Sequence, residues 1–300
     1  MSRPSIGVAV VSYNTAPLLR RCLESVVGDT AGPVLVVDNA STDGSAEMVR
    51  REFPTVRLRA ETDNRGYGAA ANLAAGDLDS RYVLLLNADT QLTPGAAGAL
   101  ADYLDSHPAA AVAGPRLVGA AGAFEPSAHP FPRPLALLLQ ESGLRRRLGH
   151  AREAEWRARS VDWVLGAALA IRREAFERVG GFDEGFFLYQ EEVDLCFRLR
   201  AAGWETHYAP VATVLHVGGA STGQRAAETF GQFVRSTRRF ARLRFSRGRA
   251  TSVTAVLAAV LAARLARDGT RLAWVRDPAR RELLRARIAA WRRGLGALRD

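Results

Sequence analysis

Four short runs in the first 115 residues are built from apolar side chains: IGVAVV at 6–11, VLVV at 34–37, YVLLL at 82–86 and AAVAG at 110–114. A half-exposed strand alternates, so unbroken runs of this length predict strands covered on both faces. VRLRA at 56–60 does alternate and is expected nearer an edge. Between the runs the apolar spacing changes to three and four. Leu18, Leu19, Cys22, Leu23 and Val26 form one such stripe, and residues 46–53, 69–75 and 96–104 carry others. Thr93-Pro94 supplies an N-cap and first turn for the last of these. Strand–helix alternation of this kind predicts an α/β fold around a mostly parallel, doubly wound sheet, with ligands at the C-terminal strand ends.

Residues 115–160 break the rhythm with five prolines (115, 126, 130, 132 and 134) followed by RRRLGHAREAEWRAR, which predicts a long loop and a polar helix. VDWVLGAALAIRR then resumes a strand-like run. REAFERVGGF predicts a short helix stopped by glycines, and EEVDLCFRLRAAG a longer one closed by Gly203. After TVLHV at 213–217 the body ends. The remainder predicts two or three helices; in the last, Leu284, Ile288, Trp291, Leu295 and Leu298 share one face with arginine elsewhere. The expected division is a domain over 1–222 and a basic amphipathic helical tail over 223–300.

A 300-residue chain that is 48% hydrophobic can bury a large core. Its two cysteines, Cys22 and Cys196, lie far apart in apolar helical patterns, as expected of reduced core residues in a cytosolic protein. The N-terminal apolar run of six falls short of a signal-peptide core, and the longest uncharged apolar stretch, 251–263, is thirteen residues, short of the twenty or so that span a bilayer. Charge is unevenly placed. Residues 1–224 hold 22 arginines against 26 acids, residues 225–300 hold 19 against 5, and lysine is absent. A mildly acidic body therefore carries a strongly basic tail, suited to phosphate or an anionic membrane surface. The tail has no known nucleic-acid motif, so nucleic acid is not expected as a partner.

Candidate chemistry sits at the predicted strand ends. Asp38 in VLVVDNASTDGS suits an Asx-turn or helix cap, and equally a hydrogen bond to a ribose hydroxyl or base N–H; Tyr13 in SYN offers a stacking face at the same rim. GYGAAA at 66–71 fits the dinucleotide pattern and opens a rival reading as an NAD(P)-binding oxidoreductase. Against that reading, five polar residues separate Gly66 from the preceding strand. LLLNADT ends a buried strand at Asp89, where a carboxylate can bridge Mg²⁺ or Mn²⁺ to a diphosphate, although an acid there can also cap a helix. Glu191, Glu192 and Asp194 open a helix; they complement its dipole, and Asp194 can pair with Arg198 at i,i+4. Three acids exceed what a dipole requires. His216 stands before two glycines, where a lone histidine is more often structural than a ligand. A non-catalytic protein binding anionic surfaces through the tail is the further alternative.

Taken in order, VSYN, VVDNASTDGS, NRGYGAAAN, LLLNADT, GGFDEGFFLYQEEVDLCFRLRAAG and HVGGAS resemble the inverting family 2 glycosyltransferases of GT-A fold, especially the rhamnosyltransferase-like branch, over about residues 5–222. The resemblance implies a Rossmann-like sheet with flanking helices and a nucleoside-diphosphate sugar donor. It implies that Tyr13 and Asp38 hold the base and ribose of that donor, that Arg65 and Asn72 shape the diphosphate side, and that Asn14, Gly66 and Asn87 also bind the donor. Asp89 and His216 are implied to hold Mg²⁺ or Mn²⁺, and Glu192, Glu191 or Asp194 to act as the base. Two departures stand out: Asn87 replaces the first acid of the metal motif, and Glu191-Glu192 replaces the family's Glu-Asp pair. The implied activity is transfer of a sugar, rhamnose from dTDP-rhamnose or a hexose from UDP-hexose, to a saccharide or lipid-linked saccharide of the cell envelope. The basic amphipathic tail, for its part, predicts a peripheral location on the inner face of the cytoplasmic membrane.

Overall fold

The computed structural model describes residues 5–30, 32–141, 155–218 and 226–299. The strand–helix unit repeats as β1 (Ile6–Ser12), α1 (Ala16–Val27), β2 (Val34–Asp38), α2 (Ser45–Glu52), β3 (Arg57–Ala60), α3 (Tyr67–Asp77) and β4 (Tyr82–Asn87). Then follow β5 (Thr90–Leu92), α4 (Ala96–Ser106), β6 (Ala110–Val118), β7 (Phe124–Glu125), β8 (Ala128–His129) and α5 (Pro134–Glu141). Next come β9 (Arg159–Val161), β10 (Trp163–Val164), β11 (Ala168–Arg172), α6 (Arg173–Arg178), α7 (Glu191–Ala201) and β12 (Glu205–His216). The last three are α8 (Ala226–Arg244), α9 (Arg247–Trp274) and α10 (Pro278–Gly296).

The chain divides into two compact units. One comprises residues 1–129, 151–187 and 191–221, the other residues 130–150, 188–190 and 222–300. The second therefore takes in two segments that the sequence pattern assigns to the first domain.

In the first unit the sheet runs β3-β2-β1-β4-β11-β6-β12-β5. The pairs β3–β2, β2–β1, β1–β4 and β6–β12 are parallel, while β11 runs antiparallel to both β4 and β6. Burial on both faces is visible residue by residue. Val8, Val10, Val36, Leu84 and Leu86 join α1 and α4 in one core; Ala9, Val11, Leu35, Val37, Val83 and Leu85 join α3 in the other. This is why those runs contain no alternation. The predicted loop after residue 115 instead continues β6 to Val118 and adds β7, β8 and α5. Most of the predicted polar helix lies outside the described residues.

Two expectations need correction. Thr93 does not cap α4: its hydroxyl donates to the Thr213 carbonyl at 2.8 Å, and Asp29, from the end of α1, accepts from the N–H groups of Gly95 and Ala97 instead. The thirteen-residue apolar stretch is not the limit of its helix. α9 runs for 28 residues, long and apolar enough to cross a membrane by length and composition, with 22% of its apolar window buried.

In the second unit Leu137, Ala241, Ala250, Val253 and Leu257 form one apolar cluster, and Val234, Leu261 and Ala297 another beside Phe230 and Trp291. The first unit is braced by a buried guanidinium. Arg173 donates to the carbonyls of Ser80 at 2.6 Å, Ala75 at 2.8 Å and Leu78. Replacing it with methionine keeps the bulk but strands three acceptors, which is expected to lower stability by about 2–4 kcal/mol. Urea denaturation checks this, and an unchanged midpoint would show the brace to be dispensable.

Candidate active site

Parallel register brings the candidate residues to one rim. Ser12 lies opposite Asp38 across β1 and β2, and Val11 opposite Asn87 across β1 and β4, so these strands end together. Asp38 is 2% exposed, and its Oδ2 accepts from the Ser41 N–H at 3.0 Å, making the predicted Asx-turn. Its Oδ1 is buried without a hydrogen-bond partner. Leaving a carboxylate oxygen unpaired costs about 1–3 kcal/mol or more, which a ligand donor would recover. Tyr13, two-fifths exposed at 40%, stands beside it as an open aromatic face. Asn14 adopts a left-handed backbone (φ 52°); its N–H donates to Ser41 Oγ, and its Oδ1 accepts from the Thr42 N–H, each at 2.8 Å. It joins the two loops of this rim.

The second corner is built by β5 and β12. Their antiparallel pairing sets His216 opposite Thr90, and the Val217 N–H donates to the Asp89 carbonyl at 2.9 Å. His216 Nε2 thereby comes within 3.6 Å of Asp89 Oδ1, while Nδ1 lies 2.9 Å from Glu125 Oε2. Burial draws the imidazole's proton affinity down, but the Glu125 hydrogen bond and the charge of Asp89 outweigh it, so the net shift is upward. Asn87 contributes backbone here: its N–H donates to the Ala167 carbonyl at 3.0 Å, and its carbonyl accepts from Thr90 Oγ1 at 2.7 Å.

The third corner is the start of α7. Glu191 and Glu192 are 5% and 9% exposed, and an Oε2 atom of each is buried without a hydrogen-bond partner. Burial, reinforced by the neighbouring Glu192, lifts Glu191 well above the usual carboxylate range. Burial pushes Glu192 up to about 7, against N–H groups of Glu192, Val193 and Gly166 that favour its anion. Gly166 is the turn before β11, and a Cβ there would sit 3.7 Å from the Glu192 side chain. Tyr67 closes the same space: its hydroxyl donates to the Gly166 carbonyl at 3.3 Å. Burial, then the charges of Glu191, Glu192 and Asp89, raise its proton affinity. Asp194 differs from its neighbours. Fully buried, it accepts from Arg198 Nε at 2.7 Å, and that guanidinium also donates to the carbonyls of Val179 and Gly181, each at 2.6 Å.

The remaining predicted residues shape the wall. Arg65 pairs with Glu184 at 2.9 Å. Asn72 grips the Phe182 backbone through both amide atoms, accepting at 2.8 Å and donating at 3.0 Å. Gly66, at φ +88°, could not carry a side chain, since a Cβ would fall 2.3 Å from the Phe187 carbonyl oxygen. It heads α3 after the loop 61–65, beside the edge strand β3, and so does not form a phosphate cradle at the end of a central strand. Glu125, Gly166 and Tyr67 went unpredicted. A lone acid in a proline-rich stretch and a glycine before a strand carry no periodic signal.

Comparisons with known proteins give the family and the fold. The profile described as Glycosyl transferase family 2 matches residues 7–180. The N-acetylglucosaminyl-diphospho-decaprenol L-rhamnosyltransferase of Mycobacterium tuberculosis is 36% identical over 77% of this chain and 82% of its own. Among solved structures, the mannosyltransferase PcManGT of Pyrobaculum calidifontis, bound to GDP-Man and Mn²⁺, superposes with a TM-score of 0.56 at 21% identity, covering 98% of this chain and 88% of that one. GalNAc-T7, bound to UDP, GalNAc and Mn²⁺, gives a TM-score of 0.56 at 16% identity, over 71% of this chain and 43% of that one. The two structures share the fold.

The acid pair predicts a pH-dependent cost. A carboxyl whose folded-state affinity is raised costs nothing below its unfolded value near 4.5; the cost builds as pH rises from there and is complete above the folded value, about 7 for Glu192. The expected penalty above that is up to about 3 kcal/mol. Glu192→Gln, which cannot ionise, should therefore gain in Tm over wild type between pH 4.5 and pH 8, whereas Asp194→Asn should lose at both. A pH-independent difference for Glu192→Gln would remove the burial argument.

Proposed function

The chain belongs to glycosyl transferase family 2, and from that premise we propose that it transfers a sugar from a nucleoside-diphosphate donor with inversion, Glu192 being the base. The observation that carries this reading is the buried Glu192 carboxyl, with one unpartnered oxygen and a proton affinity near neutrality. The donor is dTDP-rhamnose and the acceptor a saccharide carried on a lipid diphosphate; the mycobacterial relative's name supports the rhamnosyl group and the acceptor. The pathway served is assembly of a cell-envelope polysaccharide.

On this reading Tyr13 stacks on the base, and the free Oδ1 of Asp38 accepts from the nucleoside. The acceptor hydroxyl gives its proton to Glu192 as its oxygen attacks the anomeric carbon from the face opposite the diphosphate. The bond to the diphosphate breaks in the same displacement, so the centre inverts and no covalent enzyme intermediate forms. Asp194 keeps its partner Arg198 and holds the helix rather than moving a proton. Glu191, the more strongly shifted acid, stays protonated and spares Glu192 a second negative charge.

Asp89 and His216 suit a divalent cation. Among the described residues no group of three or more His, Cys, Asp or Glu is disposed to hold a metal by itself. Mg²⁺ and Mn²⁺ commonly take one or two protein ligands and complete their shell with substrate phosphates, so this sparse pair fits. Glu125 on Nδ1 would orient the ring, as a carboxylate does behind a metal-binding histidine. When bound, such an ion neutralises charge on the departing diphosphate. Through its basic helices the enzyme sits on the inner face of the cytoplasmic membrane, where its lipid-linked acceptor is confined.

Thermal stabilisation tests donor and metal together. dTDP-rhamnose with Mn²⁺ should raise Tm by several degrees, Asp89→Ala should lose the Mn²⁺-dependent part, and NAD and NADP should do nothing. Stabilisation by UDP-hexoses alone would change the donor, and full activity in EDTA would remove the metal. The base is tested by kinetics. Glu192→Gln should lower turnover by about 10²–10⁴-fold with donor affinity kept. Wild-type kcat/KM should climb as pH rises through about 7, since the base acts deprotonated. An active Glu192→Gln beside a folded but inactive Asp194→Asn would transfer the role.

A further inference from the structure

The second unit contains a cleft that the transfer reaction does not use. It has a volume of about 460 Å³ and lies between α9 and α10. One wall is Leu265, Gly269 and Leu272, spaced i, i+4, i+7; the other is Ile288 and Ala289, with Arg285 and Arg292 a turn to either side. The walls are fixed by a buried carboxylate: Asp268 accepts from Trp291 Nε1 at 3.0 Å and pairs with Arg287 at 2.9 Å. At Gly269 an added Cβ would meet nothing within 4 Å, so the cleft opens where the helix lacks a side chain.

We infer that this cleft binds one acyl chain of an anionic phospholipid, with Arg285 and Arg292 on the phosphate. The lining is aliphatic and guanidinium only, with no carboxylate to repel a phosphate and no aromatic ring to stack on a nucleoside base. Both arginines are exposed, and neither guanidinium has an ion-pair or hydrogen-bond partner among the described residues. They stand in a segment with 19 arginines and 5 acids. Trp274, 86% exposed at the end of α9, is the side chain that favours a membrane–water interface. A volume of this size falls within the roughly 300–1,000 Å³ typical of small-molecule pockets. The inference deepens the membrane reading above and rests on it for its physiological setting.

The probe is dihexanoylphosphatidylglycerol below its micelle-forming concentration, titrated calorimetrically into the full-length protein, with dihexanoylphosphatidylcholine as control. Wild type should bind the glycerol lipid saturably at one site and the choline lipid at least tenfold more weakly. Gly269→Leu fills the cleft without changing charge and favours the helix, and it should weaken binding at least tenfold. Arg285→Glu/Arg292→Glu should do the same, while Arg280→Glu/Arg299→Glu, an equal charge change outside the cleft, should not. Unaltered binding by Gly269→Leu, equal loss in both charge variants, or a cleft occupied by a second copy that Gly269→Leu releases in sedimentation would each overturn the inference. Flotation on phosphatidylglycerol vesicles separates the two readings. Saturable binding of the short lipid without flotation sinks membrane residence and keeps the cleft; flotation undiminished by Gly269→Leu, with no short-lipid binding, does the reverse.

Discussion

Two carboxyl groups buried side by side cannot both be ionised at neutral pH without a large electrostatic cost. Glu191 and Glu192 impose that constraint at the head of α7, and the residues packed around that turn sustain it. Gly166 lends an N–H to the Glu192 carboxyl. Gly68 faces the same corner, where an added Cβ would lie 3.6 Å from the Glu191 Cβ and a tight 3.2 Å from that of Phe182. Asp194 and Arg198 tie the following turn to the carbonyls of Val179 and Gly181, so the helix carrying the pair cannot relax toward water. The result is an acid pair that holds one proton readily and resists losing the second, a poise that exposed carboxylates do not reach.

Sheet topology makes that poise useful. Asp38, Asp89, Glu192 and His216 are scattered over nearly two hundred positions, and only pairing brings them to one edge. β1, β2 and β4 run parallel and end in register, which gathers Asp38 and Asp89. β11 then enters antiparallel beside β4, so the turn before it, at Gly166, lies at the C-terminal end of β4. That reversal lets a residue from α7 reach the rim of strands that precede it by a hundred positions. β12 returns alongside β6 and pairs with β5 at the sheet's far edge, carrying His216 to Asp89.

What the sequence made legible follows from how burial is written into it. β1, β2, β4 and the start of β6 are covered on both faces, so their apolar runs declare them. The two-residue strands β7, β8 and β10 are too short for any period, and Glu125 was lost with them. The cap of α4 was misread because the capping acid, Asp29, is distant in sequence, and only the fold brings it to Gly95 and Ala97. α9 was underestimated for a related reason. Counting uncharged residues stops the helix at Arg264, whereas arginine carries a long apolar stem and continues a helix without breaking its apolar face. The acid cluster itself was visible, but its division of labour was not. The i,i+4 spacing offered Arg198 to Asp194, but only packing shows that Glu191 and Glu192 are each buried with an oxygen left unpartnered.

On the proposed assignment of Glu192 as the base, a poise near neutrality also answers a problem of selectivity against water. A transferase that activates any hydroxyl would hydrolyse its donor, because water is far more concentrated than a lipid-linked saccharide. An ionised, solvated carboxylate would activate water as readily as an acceptor. Glu192 is held otherwise: buried, with a single unpartnered oxygen, and beside a carboxyl that burial keeps from adding a second negative charge. In that state its anion becomes worthwhile only when a hydroxyl in the right place can take up the open oxygen's hydrogen bond. Burial lifts the proton affinity just far enough that accepting the proton during attack, and releasing it afterwards to solvent, are nearly balanced at cellular pH. The energetic cost of keeping two acids out of water is thus the same feature that makes the carboxyl selective for an acceptor that fills the site.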